Sequence, residues 1–317
     1  MRPGLGSRGS VRLVRLLFVV GVLGICAGIW YLVSGGSARE FEFRFNPPDG
    51  ITYVAKDKTT WQWDNDPGGK TAYASESKDK VTVKRTATGY RMTGEPISGK
   101  YTRDGKIDPV YSAVYIRTVT FECDRQGQPY AVRGFENVAD EVMQRLGNKK
   151  LDKGTIALLL RVEQDVMQWA RREWKNGDGK LVGRKARLGD VWDTTQEIAV
   201  WHNAVVNTRA RIRFAQVVER DGKECLRLEI TYKTNKTDLK RQLEKLLNGQ
   251  PSAPSPTPYE VVDAEITGSE EVIIAPDTLL SYSGKMDRTV KLTAKSYGRD
   301  LKYTMWTKQE STRDYSK

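Results

Sequence analysis

The chain has 317 residues, 52 Lys and Arg against 40 Asp and Glu, and a formal net charge of +12, so it is basic throughout rather than in one block. A single histidine and three cysteines exclude the usual His- and Cys-rich metal sites, and a Ser-His-Asp triad would have to be built on that one imidazole. Acids and bases alternate closely, as in Lys56-Asp57-Lys58 and Lys78-Asp79-Lys80, which describes a solvated surface and gives no expectation of nucleic-acid binding.

Residues 1–15 carry Arg2, Arg8, Arg12 and Arg15 and no acid, and Leu16 to Val33 then runs without a charged side chain. Such a run is long enough to cross a bilayer as a helix, and the preceding arginines keep its start cytoplasmic. The expectation is a transmembrane anchor or uncleaved signal at 16–33, a linker at 34–40 and an exported, β-rich domain at 41–317, placed in the periplasm or outside the cell. Trp30 and Tyr31 suit an interfacial anchor, and Ile25 before Cys26 argues against lipidation of that cysteine.

Within the exported part the predicted elements are mainly strands. Trp61 and Trp63 alternate on one face, and alternation returns over Val114 to Cys123. A short helix begins at Asn137 and stops at Gly147; a long one is capped by Thr155 and runs to about Lys175 with a broad apolar stripe. Arg211–Val217 and Leu226–Tyr232 alternate around Asp221-Gly222, which predicts an antiparallel hairpin. A third helix starts at Thr237 and ends at Gly249, before a Pro-rich loop at 250–258. Val290–Leu292 and Leu301–Trp306 form further paired strands around a Gly298-Arg299-Asp300 turn. The predicted fold class is α+β, mostly β: a curved, half-barrel-like antiparallel sheet packed on a few helices and preceded by the N-terminal membrane helix.

Chemical motifs are sparse. Gly94–Lys100 has phosphate-loop spacing but ends in Tyr101, Gly69-Lys70-Thr71 lacks the first glycine, and Asp64–Gly68 is interrupted by Pro67 as a calcium loop. His202 reads as structural, and the pairs Glu163/Asp165 and Glu270/Glu271 read as solvated faces. No catalytic, cofactor or metal residue is assigned and no cofactor is expected. Trp61, Trp63, Trp169 and Trp174 are the candidate lining of an apolar cavity, and Cys123 and Cys225 could form a disulfide in an oxidising envelope.

Leu188-Gly189-Asp190-Val191-Trp192, the Asp221-Gly222 hairpin and Ala275–Gly284 together resemble bacterial envelope proteins of the lipoprotein-carrier type and a group of uncharacterised exported bacterial proteins. The resemblance implies a half-barrel around helices; no ligand-contact motif carries over. The resulting expectation is a non-enzymatic, membrane-anchored envelope protein that binds a hydrophobic ligand or lipid. The alternatives are a structural or protein-interaction module with a filled core, and an envelope polysaccharide hydrolase. Expected partners are the membrane, through the N-terminal helix, and a lipid or protein of the envelope.

Overall fold

The computed structural model describes residues 39–66, 69–147, 151–201, 204–249 and 259–315. The anchor expected at 16–33, Cys26, His202 and the Pro-rich loop at 250–258 lie outside them. Among the described residues no helix is long and apolar enough to cross a membrane.

The strands are β1 (Glu40–Glu42), β2 (Thr52–Asp66), β3 (Gly69–Arg85), β4 (Gly89–Arg103), β5 (Lys106–Ile107), β6 (Val119–Asp124) and β7 (Pro129–Arg133), then β8 (Lys185–Arg187), β9 (Val191–Trp201), β10 (Ala204–Arg220), β11 (Lys223–Lys233), β12 (Glu260–Ile274), β13 (Ser281–Ser296) and β14 (Arg299–Asp314). The helices are α1 (Pro109–Tyr115), α2 (Val138–Arg145), α3 (Lys153–Asn176) and α4 (Lys236–Asn248), with a single 3₁₀ turn at Asp178–Lys180.

One antiparallel sheet holds twelve of the strands, in the order β7-β6-β4-β3-β2-β14-β13-β12-β11-β10-β9 with β5 beside β4, while β1 pairs with β8. The expected hairpin is present: Arg220 faces Lys223 across Asp221-Gly222, both at positive φ as a type I′ turn requires. The hairpin of β13 and β14 turns at Tyr297-Gly298, one position earlier than the sequence suggests. The half-sheets before and after residue 180 meet where β2 pairs with β14, so the first long strand and the last lie side by side in the middle of the sheet.

Helix starts differ from expectation where a stronger cap lies just upstream. Asp152, not Thr155, caps α3, accepting from the Thr155 N–H at 2.9 Å. Asn235 caps α4 through the Asp238 N–H at 3.2 Å. Helix α1 departs from the strand expected over Val114 to Cys123: Val114 and Tyr115 end the helix, and β6 begins only at Val119. Asp108 caps it through the amides of Val110 and Tyr111, and Pro109 supplies the first-turn φ.

Of the apolar clusters, two cover the inward face of the sheet's second half. In one, Leu239 and Leu243 of α4 pack on Ile198, Val206, Val261, Ile266 and Val290. In the other, Phe41, Phe43 and Leu181 cover Ile212, Phe214, Leu226 and Leu228. Cys123 and Cys225 are buried free thiols in two different clusters, on β6 and β11, which are far apart in the strand order.

The sheet does not close, and β7 and β9 are its edges. Helix α3 packs along both. Arg171 donates to the carbonyls of Pro129 (3.3 Å) and Tyr130 (3.1 Å) on β7. Asn176 accepts from the Glu197 N–H at 2.9 Å and donates to the Glu197 carbonyl at 2.7 Å on β9, and Lys180 donates to the Thr195 carbonyl. Every second residue of an edge strand presents its backbone outward, and Thr195 and Glu197 are two such positions. Asn176→Ala therefore strips two hydrogen bonds from a half-buried edge, and denaturant unfolding is expected to show a loss of about 1–3 kcal/mol. Lys175→Ala, which removes only an exposed ion pair to Glu197, is expected to cost less than about 1 kcal/mol.

Candidate functional site

Alternation fixes which side chains face inward. Across the middle of the sheet the inward positions are Tyr232 on β11, Glu270 on β12, Arg288 on β13, Thr307 on β14, Trp61 on β2 and Tyr73 on β3, as the registers show. Small and polar residues surround them: Thr59, Ser75, Gln309 and Ser311 face the same way. This strip of the inward face thus mixes polar side chains with aromatic ones.

Helix α3 and the turn after it bring Glu173, Asp178 and Lys180 to this strip. The Tyr232 hydroxyl donates to Glu270 Oε2 at 3.1 Å. Burial, then the charge of Glu173, raises the Glu270 carboxyl, while the Tyr232 hydroxyl and Arg288 pull it down. Glu173 is raised by burial and lowered by Arg288. It nevertheless keeps exposed surface, so water reaches it. Burial pushes Asp178 up to about 7, helped by Glu270, and pushes Lys180 down to about 8, helped by Lys175.

Three carboxyls, Glu173, Asp178 and Glu270, thus share the field of the cations Arg288, Arg172 and Lys180. Several polar atoms on the same face are buried without a protein partner: Arg288 Nε, Thr307 Oγ1, Thr208 Oγ1 and Trp192 Nε1. Buried donors and acceptors are satisfied in nearly all folded proteins, so these call for water or a ligand. No three His, Cys, Asp or Glu side chains converge closely enough to hold a metal ion among the described residues.

The four tryptophans expected to line one cavity are not brought together. Trp61 and Trp63 share the inward face: Trp61 lies 6.2 Å from Tyr101, and Trp63 lies 5.6 Å from Tyr73 between ring centroids. Tyr111 of α1 stacks on Tyr101 at 4.8 Å, which makes this corner an aromatic wall. Trp174 packs edge-on against Phe45 at 5.4 Å, as core. Trp169 is 50% exposed, on the outer part of α3. Glu270 and Glu271 are not a solvated pair: Glu271 faces out and meets Arg227 at 2.7 Å, while Glu270 faces in. Gly94–Lys100 and Gly69–Thr71 lie in strands, which gives neither a phosphate loop.

No family model matches the chain, and no curated protein matches it. Among solved structures it is similar to DynF from the dynemicin biosynthesis pathway of Micromonospora chersina, with 7% identity over 86% of this chain and 84% of that one. The TM-score is 0.20, too low to carry an argument about fold or function.

The Asp178 carboxyl gives a direct test of its burial. Its folded-state pKa lies above the ordinary one, so the folded chain holds an extra proton between the two values. The associated stability is complete below the ordinary carboxylate range and is lost as pH rises through about 7. Asp178→Asn is expected to match the parent near pH 4 and to be the more stable protein at pH 8, with the difference growing in between, as measured by urea unfolding.

Proposed function

We propose that the protein is a non-enzymatic binding protein, tethered to a membrane by residues 16–33, whose curved sheet receives an amphipathic ligand with a cationic, hydrogen-bonding head. The observation that carries this reading is the inward-facing set Glu173, Asp178, Glu270, Tyr232 and Arg288, with three carboxyls raised by burial and the unpartnered Arg288 Nε and Thr307 Oγ1, beside an aromatic wall. A cation entering among them would keep Glu173 and Glu270 ionised and relieve their mutual repulsion. The apolar part of the ligand would lie against Trp61, Tyr73 and Tyr101. A lipid or other amphiphile of an envelope has this chemistry.

A second reading, hydrolysis of an envelope polysaccharide, is supported by the same two carboxyls, because glycosidases work with a pair of acids held in different environments. Here both are raised by the same cause, burial, and Arg288 opposes both shifts, so the environments do not separate an acid from a nucleophile.

Native mass spectrometry of the full-length chain purified from cells, followed by extraction of whatever it carries, distinguishes the two. The binding reading predicts one cationic amphiphile per chain, with occupancy reduced about tenfold or more in Glu173→Gln/Glu270→Gln. A bare mass with nothing extracted would overturn it. Release of sugar fragments from envelope polysaccharide, abolished by the same double variant, would establish the hydrolase instead.

A further inference from the structure

The face of the sheet turned away from the core holds a second feature, independent of the inward-facing set. A hollow of about 480 Å³ spans β14, β2, β3 and β4. That volume falls within the roughly 300–1,000 Å³ of small-molecule sites.

Two rows of side chains cross it. In one, Glu310, Lys58, Glu76 and Lys100 are successive cross-strand neighbours, and their charges alternate. Glu76 bonds to both lysines, at 3.2 Å to Lys58 and 2.8 Å to Lys100. This row is internally neutralised.

The adjoining row is not. Thr312, Lys56, Lys78 and Ser98 are successive neighbours, and Lys56 stands directly opposite Lys78. Like charges directly opposed across an antiparallel pair are destabilising. Among the described residues neither lysine makes an ion pair, although Glu76 and Glu310 lie one row away. The two ammonium groups are flanked by hydroxyls, Thr312 on one side and Ser98 on the other. Beside Lys78 the register slips, so that Lys78 faces Ser98 and Asp79 faces Pro96, and Ile97 is the extra residue. A bulge of this kind re-aims side chains and is over-represented beside binding sites.

We propose that Lys56 and Lys78 form an oxyanion site, in which a phosphate or sulfate group of a soluble ligand sits between the two ammonium groups with Thr312 and Ser98 donating at its ends. Such an anion removes the repulsion of the opposed pair and uses every donor in the row. Lys58 and Lys100, two residues along the strands, would meet a second anionic group of the same ligand only by giving up Glu76, so the Lys56–Lys78 row dominates affinity.

Thermal unfolding of the full chain with inorganic tripolyphosphate, at ionic strength held constant with sodium chloride, tests the assignment. Saturable stabilisation of the parent is expected, with affinity weakened about tenfold in Lys56→Gln and again in Lys78→Gln. Without the anion, Lys78→Gln is expected to unfold at a higher temperature than the parent, which also excludes misfolding as the cause of lost binding. Lys291→Gln, on the same face but outside the hollow, is expected to bind as the parent does. The proposal fails if tripolyphosphate adds nothing beyond chloride, if Lys56→Gln/Lys78→Gln retains full affinity, or if Lys291→Gln loses as much as they do.

Discussion

An antiparallel sheet that does not close leaves two rows of unpaired backbone groups, and one helix, α3, satisfies parts of both. Arg171 reaches the carbonyls of β7 from one side, and Asn176 and Lys180 reach β9 from the other. Exposed edges invite pairing with other chains, so covering them is a condition of solubility as well as of stability. A helix placed there also spans the gap that another strand would fill in a closed barrel.

The composition of the interior follows from that placement. A strand in the gap would add one more alternating row, whereas the end of a helix adds a turn whose side chains project onto the opposite wall. Glu173 and Asp178 come within electrostatic reach of Glu270 in this way, and the strands answer with Arg288 and Tyr232. The apolar clusters, among them those closed by α4 and by Phe41 and Phe43, supply the hydrophobic stabilisation and allow the ionisable groups to sit among them. Burying this many ionisable groups is costly unless they are paired or wet, and the exposed surface of Glu173 shows that they are reached by water.

Much of the sheet could be read from period-two alternation, and the hairpin around Asp221-Gly222 was readable to the residue. Helix α1 was hidden because its few turns lie against a strand with the same apolar content, although Asp108-Pro109 was an available start signal. Glu270 was within reach too. Ala264, Ile266 and Glu270 fall on one face of β12 by alternation, opposite to Glu271. Nothing local indicates that β2 pairs with β14, since that contact joins strands from the two ends of the chain. The inward turn of Glu173 depends on where α3 docks, and the same docking leaves Trp169 outside.

The most direct test of the role given to α3 is site-resolved hydrogen exchange on the unmodified chain. If one helix covers both edges, the protected amides of β7 and β9 open with a common free energy, as one cooperative unit with the C-terminal half of α3. Independent exchange of the two edges, with clearly different opening free energies, would contradict it.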